Sequence, residues 1–347
     1  MRLLALPFLL GLALAQSGNL PASVFLSGAK HEYQRFNNCG PVTIGMAMSY
    51  WGSTENQYQI APVLKPNKQD KNVSPEEMIA YARAKGYRVH YGIAGNYDLL
   101  RRFLAAKFPT IVESWFVTEH GGMGHYRLLV GYDDKAGYFN AFDSYWGPKV
   151  TLKYKDLDAL WQVFNRTYIV VYPASRESQL KAVLGDRLDE AKLLQKALVV
   201  AKSETQSQPS NAFAWFNLGD VLLKQGDVPG AAAAYDRSRA QKLNVAFDTT
   251  RPQNVATNWP FRMMWYQFGP YQAYYKMGRY GDVVRLANDV LGRIDDHEES
   301  FYWCGLARKA QGNLAGAKAD FQAALRYRPS YEEAAQALKN LNVRASR

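Results

Sequence analysis

Hydrophobic and polar positions change rhythm once along this 347-residue chain, near Pro173. Before that point, short runs rich in Val, Ile, Tyr and Phe are punctuated by Gly, Asp and Pro. The runs Tyr87–Gly95, Phe108–Phe116, His125–Asp134, Gly137–Tyr145, Lys149–Tyr154 and Thr167–Pro173 read as strands, because β-branched and aromatic residues suit a pleated, half-buried surface. Helical signals lie between them. Ser74 stands as an N-cap, Pro75 at the first helical position and Glu77 three residues after the cap, and the run closes at Gly86. Further helices are predicted over Tyr97–Lys107 and Leu157–Phe164, and another from Pro41 to Trp51 that stops at Gly52. Strands mixed with helices in this way give an α+β domain.

After Ala174 the strand signals vanish and a helical period takes over. A helix from about Arg176 to Glu204 comes first. Two later stretches then repeat one another: Ala212–Leu243 carries Trp215, Leu218, Gly219, Gly226, Ala231 and Tyr235, and Glu298–Pro329 carries Gly305, Gly312, Ala317, Phe321, Ala324 and Pro329. A middle copy near Met264 keeps Tyr274, Gly278 and Ala287, with Val283 where a small residue is usual. These offsets resemble the tetratricopeptide repeat, a helix–turn–helix unit of about 34 residues. The small residues let helices of neighbouring units approach, so their role is packing. Residues 244–262 interrupt the array, and Tyr331–Leu341 reads as a closing helix. Such an array offers a concave groove suited to an extended peptide or a partner helix, or it braces the first domain.

The chain start bears on compartment. Arg2 precedes an apolar run, Leu3–Leu14, and Ala13-Leu14-Ala15 supplies small residues for cleavage after Ala15. The run is shorter than the ~18 apolar residues that span a bilayer. The expected organisation is therefore a signal peptide at 1–15, an α+β domain at 16–173 and a helical array at 174–347, secreted or periplasmic, with no transmembrane segment in the mature chain. The formal charge of +11, less one when Arg2 is removed, suits attraction to anionic polymers or acidic proteins. Its Lys and Arg residues are scattered along helices without a recognition module, so no nucleic-acid partner is expected. Two cysteines, Cys39 and Cys304, are too few for a disulfide framework.

Chemistry centres on the stretch Tyr33–Gly52, where Cys39 stands before Gly40 and Pro41 at a helix start. The free N–H groups and helix dipole there favour a thiolate, moving the thiol from about 8.5 toward neutrality. A nucleophile of this kind needs a base, and the base needs an orienting acceptor. His125 opens a strand behind the Gly-rich run Glu119–Gly124, and Asp143 ends the next strand of a hairpin. His120 is a rival base, although with Glu119 and His125 it completes no zinc ligand set. Gln34 and Asn38 precede the cysteine as oxyanion donors, of which Gln34 is preferred. His90 and His297 suit structural or solvent-facing roles, and Asp133 and Asp134 suit a turn.

As a set, Gln34, Cys39-Gly40-Pro41, Gly124-His125-Tyr126 followed by Val130-Gly131-Tyr132, and Asp143 in its Phe-Asp-Ser-Tyr-Trp-Gly setting resemble the papain-like cysteine peptidases related to bacteriocin-processing, double-glycine leader peptidases. The resemblance spans roughly Phe25–Tyr172. It implies an α+β papain-like cysteine peptidase domain followed by an all-α tetratricopeptide-repeat array. It also implies roles: Cys39 attacks, His125 shuttles the proton, Asp143 orients His125, and Gln34 lines the oxyanion hole. The expected function is an exported thiol hydrolase cleaving peptide or amide bonds without metal or cofactor, its repeats docking a substrate or partner protein. A peptidase-like domain without turnover, serving with the repeats as a binding scaffold, is the alternative. Acyl transfer to an amine uses the same residues.

Overall fold

The computed structural model describes residues 20–67, 70–118, 121–242, 259–260 and 262–345. The signal-peptide segment, the rival base His120 with Glu119, and most of the segment between the first two repeats lie outside the described residues.

The first region opens with strand β1 (Ser23–Phe25) and helices α1 (Cys39–Ser49), α2 (Gln57–Leu64) and α3 (Pro75–Ala84). Strand β2 (Arg88–Gly92) leads through helix α4 (Tyr97–Ala105) to strands β3 (Thr110–Thr118), β4 (Gly121–Asp133), β5 (Tyr138–Asp143) and β6 (Gly147–Lys153). Helix α5 (Tyr154–Gln162) then precedes the last strand, β7 (Tyr168–Tyr172). All the strands join one antiparallel sheet in the order β2-β7-β3-β4-β5-β6, with β1 added on β4. Alternation along β4 sorts its side chains between two helical layers. Tyr126, Leu128 and Val130 pack with Val42, Met46, Ile60 and Met78 of the α1–α3 layer. Leu129 and Tyr132 pack with Leu100, Phe103 and Trp161 of the α4–α5 layer.

Most predicted elements are present, and the departures have local causes. Ser74 accepts from the Glu77 N–H while Glu77 reaches back to the Ser74 N–H, the reciprocal cap that the sequence signals. Strand β1 has only three residues, too few for alternation to show. Helix α2 escapes prediction because it contains Pro62, although Asn56 and Gln59 form a capping box at its start. The glycine run expected as a loop before His125 instead extends β4 back to Gly121, paired with Thr118. The long helix expected over 176–204 is broken at Gly185, whose φ of +53° is a left-handed backbone that glycine tolerates. Helix α6 (Glu177–Leu184) ends there, and α7 (Glu190–Ser207) restarts with Asp189 accepting from the Lys192 N–H.

The remaining helices pair as α8 (Ala212–Lys224) with α9 (Val228–Ala240), α10 (Gly269–Lys276) with α11 (Tyr280–Leu291), and α12 (Glu298–Ala310) with α13 (Leu314–Tyr327), followed by α14 (Glu332–Ala345). Their glycines are explained by rings. A Cβ on Gly219 would lie 2.7 Å from Tyr235 Cε1, and one on Gly305 2.7 Å from Phe321 Cε1.

The helical array packs directly on the sheet region. Trp115, Val163 and Phe164 share one apolar cluster with Phe216, Trp259, Trp265 and Tyr274. Ion pairs Lys71–Asp296 (2.8 Å), Arg328–Glu77 (2.5 Å) and Arg166–Glu204 (2.7 Å) join the same two regions. Cys39 and Cys304 are both free thiols.

Candidate active site

Cys39 is the first residue of α1, and Asn38, not Cys39, is its N-cap. The helix closes at Ser49, short of the expected Trp51, and Gly52 follows with φ +96°. The Asn38 side chain makes no cap bond, because its Nδ2 donates to Gln57 Oε1 at 3.0 Å. The first-turn N–H groups of α1 are therefore left without a side-chain cap. The turn before Cys39 holds Asn37 at φ +54°, an uncommon conformation that its Nδ2 bond to the Asp70 carbonyl (3.2 Å) steadies. A Cβ on Gly40 would sit 2.9 Å from Val73 Cβ, so only glycine lets the helix start come this close to that segment.

The backbone N–H groups of Tyr126 and Gly40 act on the thiol in favour of its charged form. Burial nevertheless pushes the thiol up to about 11, with Glu113 and Asp143 acting in the same direction. The expectation of a thiol lowered toward neutrality is thus overturned: desolvation outweighs the helix start and its N–H groups.

The pairing of β4 with β5 sets Arg127 directly opposite Asp143, with His125 two residues away on the same face. His125 Nε2 and Asp143 Oδ1 are 3.1 Å apart. Asp143 Oδ2 accepts from Arg127 Nε at 2.8 Å, and Oδ1 also accepts the N–H groups of Tyr145 (2.8 Å) and Trp146 (3.0 Å). Burial alone would raise the Asp143 carboxyl. The His125 bond, the charges of His125 and Arg127 and the Trp146 N–H outweigh it and hold the group well below the usual carboxylate range. Burial lowers His125, opposed by its bond to Asp143. The His125 ring stacks on Phe116, with centroids 4.8 Å apart.

Gln34 lies beside this pair. Its N–H donates to the Ser144 carbonyl (2.8 Å) and its Oε1 accepts from Ser144 Oγ (2.6 Å), which leaves the Nε2 group to donate elsewhere. The structure thus places Cys39 at the start of α1, His125 within β4 bonded to Asp143 at the end of β5, and Gln34 bonded to Ser144 next to Asp143. Asn38 is turned to Gln57 instead. His297 is buried as the cap of α12, and His90 lies in β2, lowered to about 4 by burial. Asp133 accepts from the Ala136 N–H, and Asp134 from Arg101 and Tyr154, as turn residues do.

Three contributors were missed. Arg127, His31, whose Nε2 lies 2.9 Å from the Asp143 carbonyl oxygen, and Ser144 all hold the Asp143 turn. Only Arg127 carried a signal, as a lone charge inside an apolar run. Exposed Tyr33, Phe36, Tyr145 and Trp146 belong to the segments that carry Cys39 and Asp143. Among the described residues, no group of three or more His, Cys, Asp and Glu side chains is arranged to hold a metal ion, and no helix is long and apolar enough to cross a membrane.

Residues 26–174 match the model of the Peptidase_C39-like family, and residues 183–243 match a tetratricopeptide-repeat model. Similar solved structures include a C39-like peptidase from Bacillus anthracis, at 14% identity over 43% of this chain and 96% of that one, with a TM-score of 0.34. The peptidase domain of Streptococcus ComA, a bi-functional ABC transporter, is 18% identical over 42% of this chain and 98% of its own, with a TM-score of 0.35. MamA from Desulfovibrio magneticus RS-1 is 18% identical over 48% of this chain and 85% of its own, with a TM-score of 0.36. No curated protein matches the chain. By these models, residues 26–174 are similar to the Peptidase_C39-like family and residues 183–243 to tetratricopeptide repeats.

Proposed function

We propose that this protein is a cysteine peptidase in which Cys39, His125 and Asp143 cleave a peptide or amide bond. The observation that carries the reading is the buried His125–Asp143 pair, anchored by Arg127, with the Cys39 thiol at the start of α1 under the influence of the neighbouring Tyr126 N–H. Because His125 gives Nε2 to Asp143, Nδ1 remains for the proton of the thiol. With the thiol raised and the imidazole lowered, the resting pair is neutral. His125 then acts as a general base: its Nδ1 takes the Cys39 proton while the sulfur bonds to the carbonyl carbon. Charge develops on the carbonyl oxygen, where the uncapped start of α1 and the Gln34 Nε2 group can donate to it. Collapse breaks the C–N bond, and His125 returns the proton to the leaving amine. Water, deprotonated by His125, attacks the thioester, releasing the acid and restoring the thiol.

The repeats hold the protein that carries the scissile segment, a role supported by their packing against the sheet next to β4. The test is mass-spectrometric detection of cleavage in a diverse peptide mixture by the full chain, alongside Cys39→Ala and His125→Ala. Products from the parent that are absent with both variants support the reading. No products from the parent, with either hydrolysis or amine transfer as readout, would remove it.

A further inference from the structure

A cavity of about 230 Å³ lies where the sheet meets the repeats. Its lining includes Tyr91, Glu113 and Asn165 from the first region, with Asp220, Lys224 and Tyr266 from the second. Glu113 lies in β3 opposite Tyr126, is only 6% exposed, and acts electrostatically on the Cys39 thiol. Tyr266 also lies within electrostatic reach of the same cysteine. Asn165 is 7% exposed, and its Nδ2 has no hydrogen-bond partner. A buried amide donor left in this state is costly unless something that enters the cavity accepts from it.

The charges are arranged by depth. Lys224 and Lys276 are exposed at the mouth together with Glu76, whereas Glu113 is buried. Asp220 already accepts from Tyr235 Oη, at 2.5 Å, and has Lys224 as its neighbour. The charged group at depth is therefore the Glu113 carboxyl, whose charged form Tyr126 also favours. The volume is below the ~300–1,000 Å³ of clefts that take drug-sized molecules, and suits a single side chain.

We propose that this cavity receives a lysine or arginine side chain of the peptide substrate, with Glu113 as its charge partner. The proposal rests on the peptidase reading and adds a substrate class to it. The repeats then complete the specificity pocket as well as docking the protein. Burial, and after it the charge of Glu76, pushes the Glu113 carboxyl up to about 8, so it is mostly protonated at neutral pH in the free protein. A cation binding there displaces that proton.

Calorimetry on the full chain carrying Cys39→Ala tests the pocket without turnover, using N-acetyl-lysine amide and its uncharged isostere N-acetyl-norleucine amide. The lysine probe should bind about tenfold more tightly, since hydrogen bonds to charged groups are the stronger class. Its heat at pH 7 should differ between phosphate and Tris through proton release, and Glu113→Gln should erase the preference. Equal affinities, no binding of the lysine probe at millimolar concentration, or a preference that survives Glu113→Gln would overturn the proposal. If Glu113→Gln fails to fold, the buffer comparison decides, and absence of proton release overturns it. Because the protein tested carries no nucleophile, failure here is distinct from failure of the peptidase reading, which shows as lost cleavage in the parent chain.

Discussion

The sheet region and the repeat array both bury glycine and charged residues, and they do so for different reasons. In the array, burial follows packing: Gly219 and Gly305 lie under the rings of Tyr235 and Phe321, and Cys304 sits inside the apolar cluster. In the sheet, the alternation of β4 is interrupted by buried His125 and Arg127, and β5 ends in fully buried Asp143. Buried charges of this kind cost desolvation energy that apolar side chains would avoid. A fold that needed only stability would have no use for them. The lesson is that chemistry is found where the packing logic stops explaining the residues. The two thiols make the contrast sharp. Both are raised by burial, Cys39 to about 11 and Cys304 to about 12, but only Cys39 lies at an uncapped helix start.

The largest effect should come from exchanging the two cysteines for alanine one at a time. Cys39→Ala should lower peptide cleavage by on the order of 10³-fold or more, and Cys304→Ala should leave it near the parent rate, as read by product formation. Equal effects would erase the distinction between the regions. Asp143→Asn comes next. It should slow cleavage by about 10²–10⁴-fold by misplacing the His125 proton, and it leaves Arg127 buried without its partner. A denaturant melt should therefore show a loss of about 3–5 kcal/mol, the scale for breaking a buried ion pair.

A substitution in the array should separate stability from chemistry in the opposite sense. Gly305→Val puts a side chain where Phe321 already sits and should destabilise the array by about 1–3 kcal/mol, as overpacking does. Below its melting range, Cys39 alkylation should be unchanged. The smallest effect concerns pH. His125 must be neutral to act as base, and its folded value lies below the ordinary ~6.5, so kcat/KM should fall only as pH drops through that lowered value. Charging the buried ring also favours unfolding, so thermal stability should begin to fall as pH drops below the ordinary ~6.5 and level off once pH is below the lowered value. An acid limb above pH 7 would show that His125 is not the buried base described here.

Much of the fold could be read from local patterns. The Ser74–Glu77 cap, the strand runs and the repeat glycines each rest on residues close together in sequence, and each appears where expected. Motif order singled out Gln34, Cys39, His125 and Asp143, and the structure sets His125 Nε2 3.1 Å from Asp143 Oδ1. What escaped depends on distance along the chain. His31 reaches the Asp143 carbonyl, and Cys39 packs against the cluster that holds Val73, Met78 and Tyr126, contacts that spacing does not encode. For the same reason the direction of the thiol shift was misjudged: the helix start is local and visible, whereas the desolvation that outweighs it comes from the assembled core.

The most direct measurement is the rate of iodoacetamide labelling of Cys39 against pH, assigned by mass spectrometry, in the parent chain and in His125→Ala. A neutral thiol activated by His125 should label slowly at neutral pH, accelerate toward about pH 11, and become slower across the range when the imidazole is removed. Labelling indifferent to His125→Ala would contradict the catalytic pairing and leave the domain as a binding scaffold.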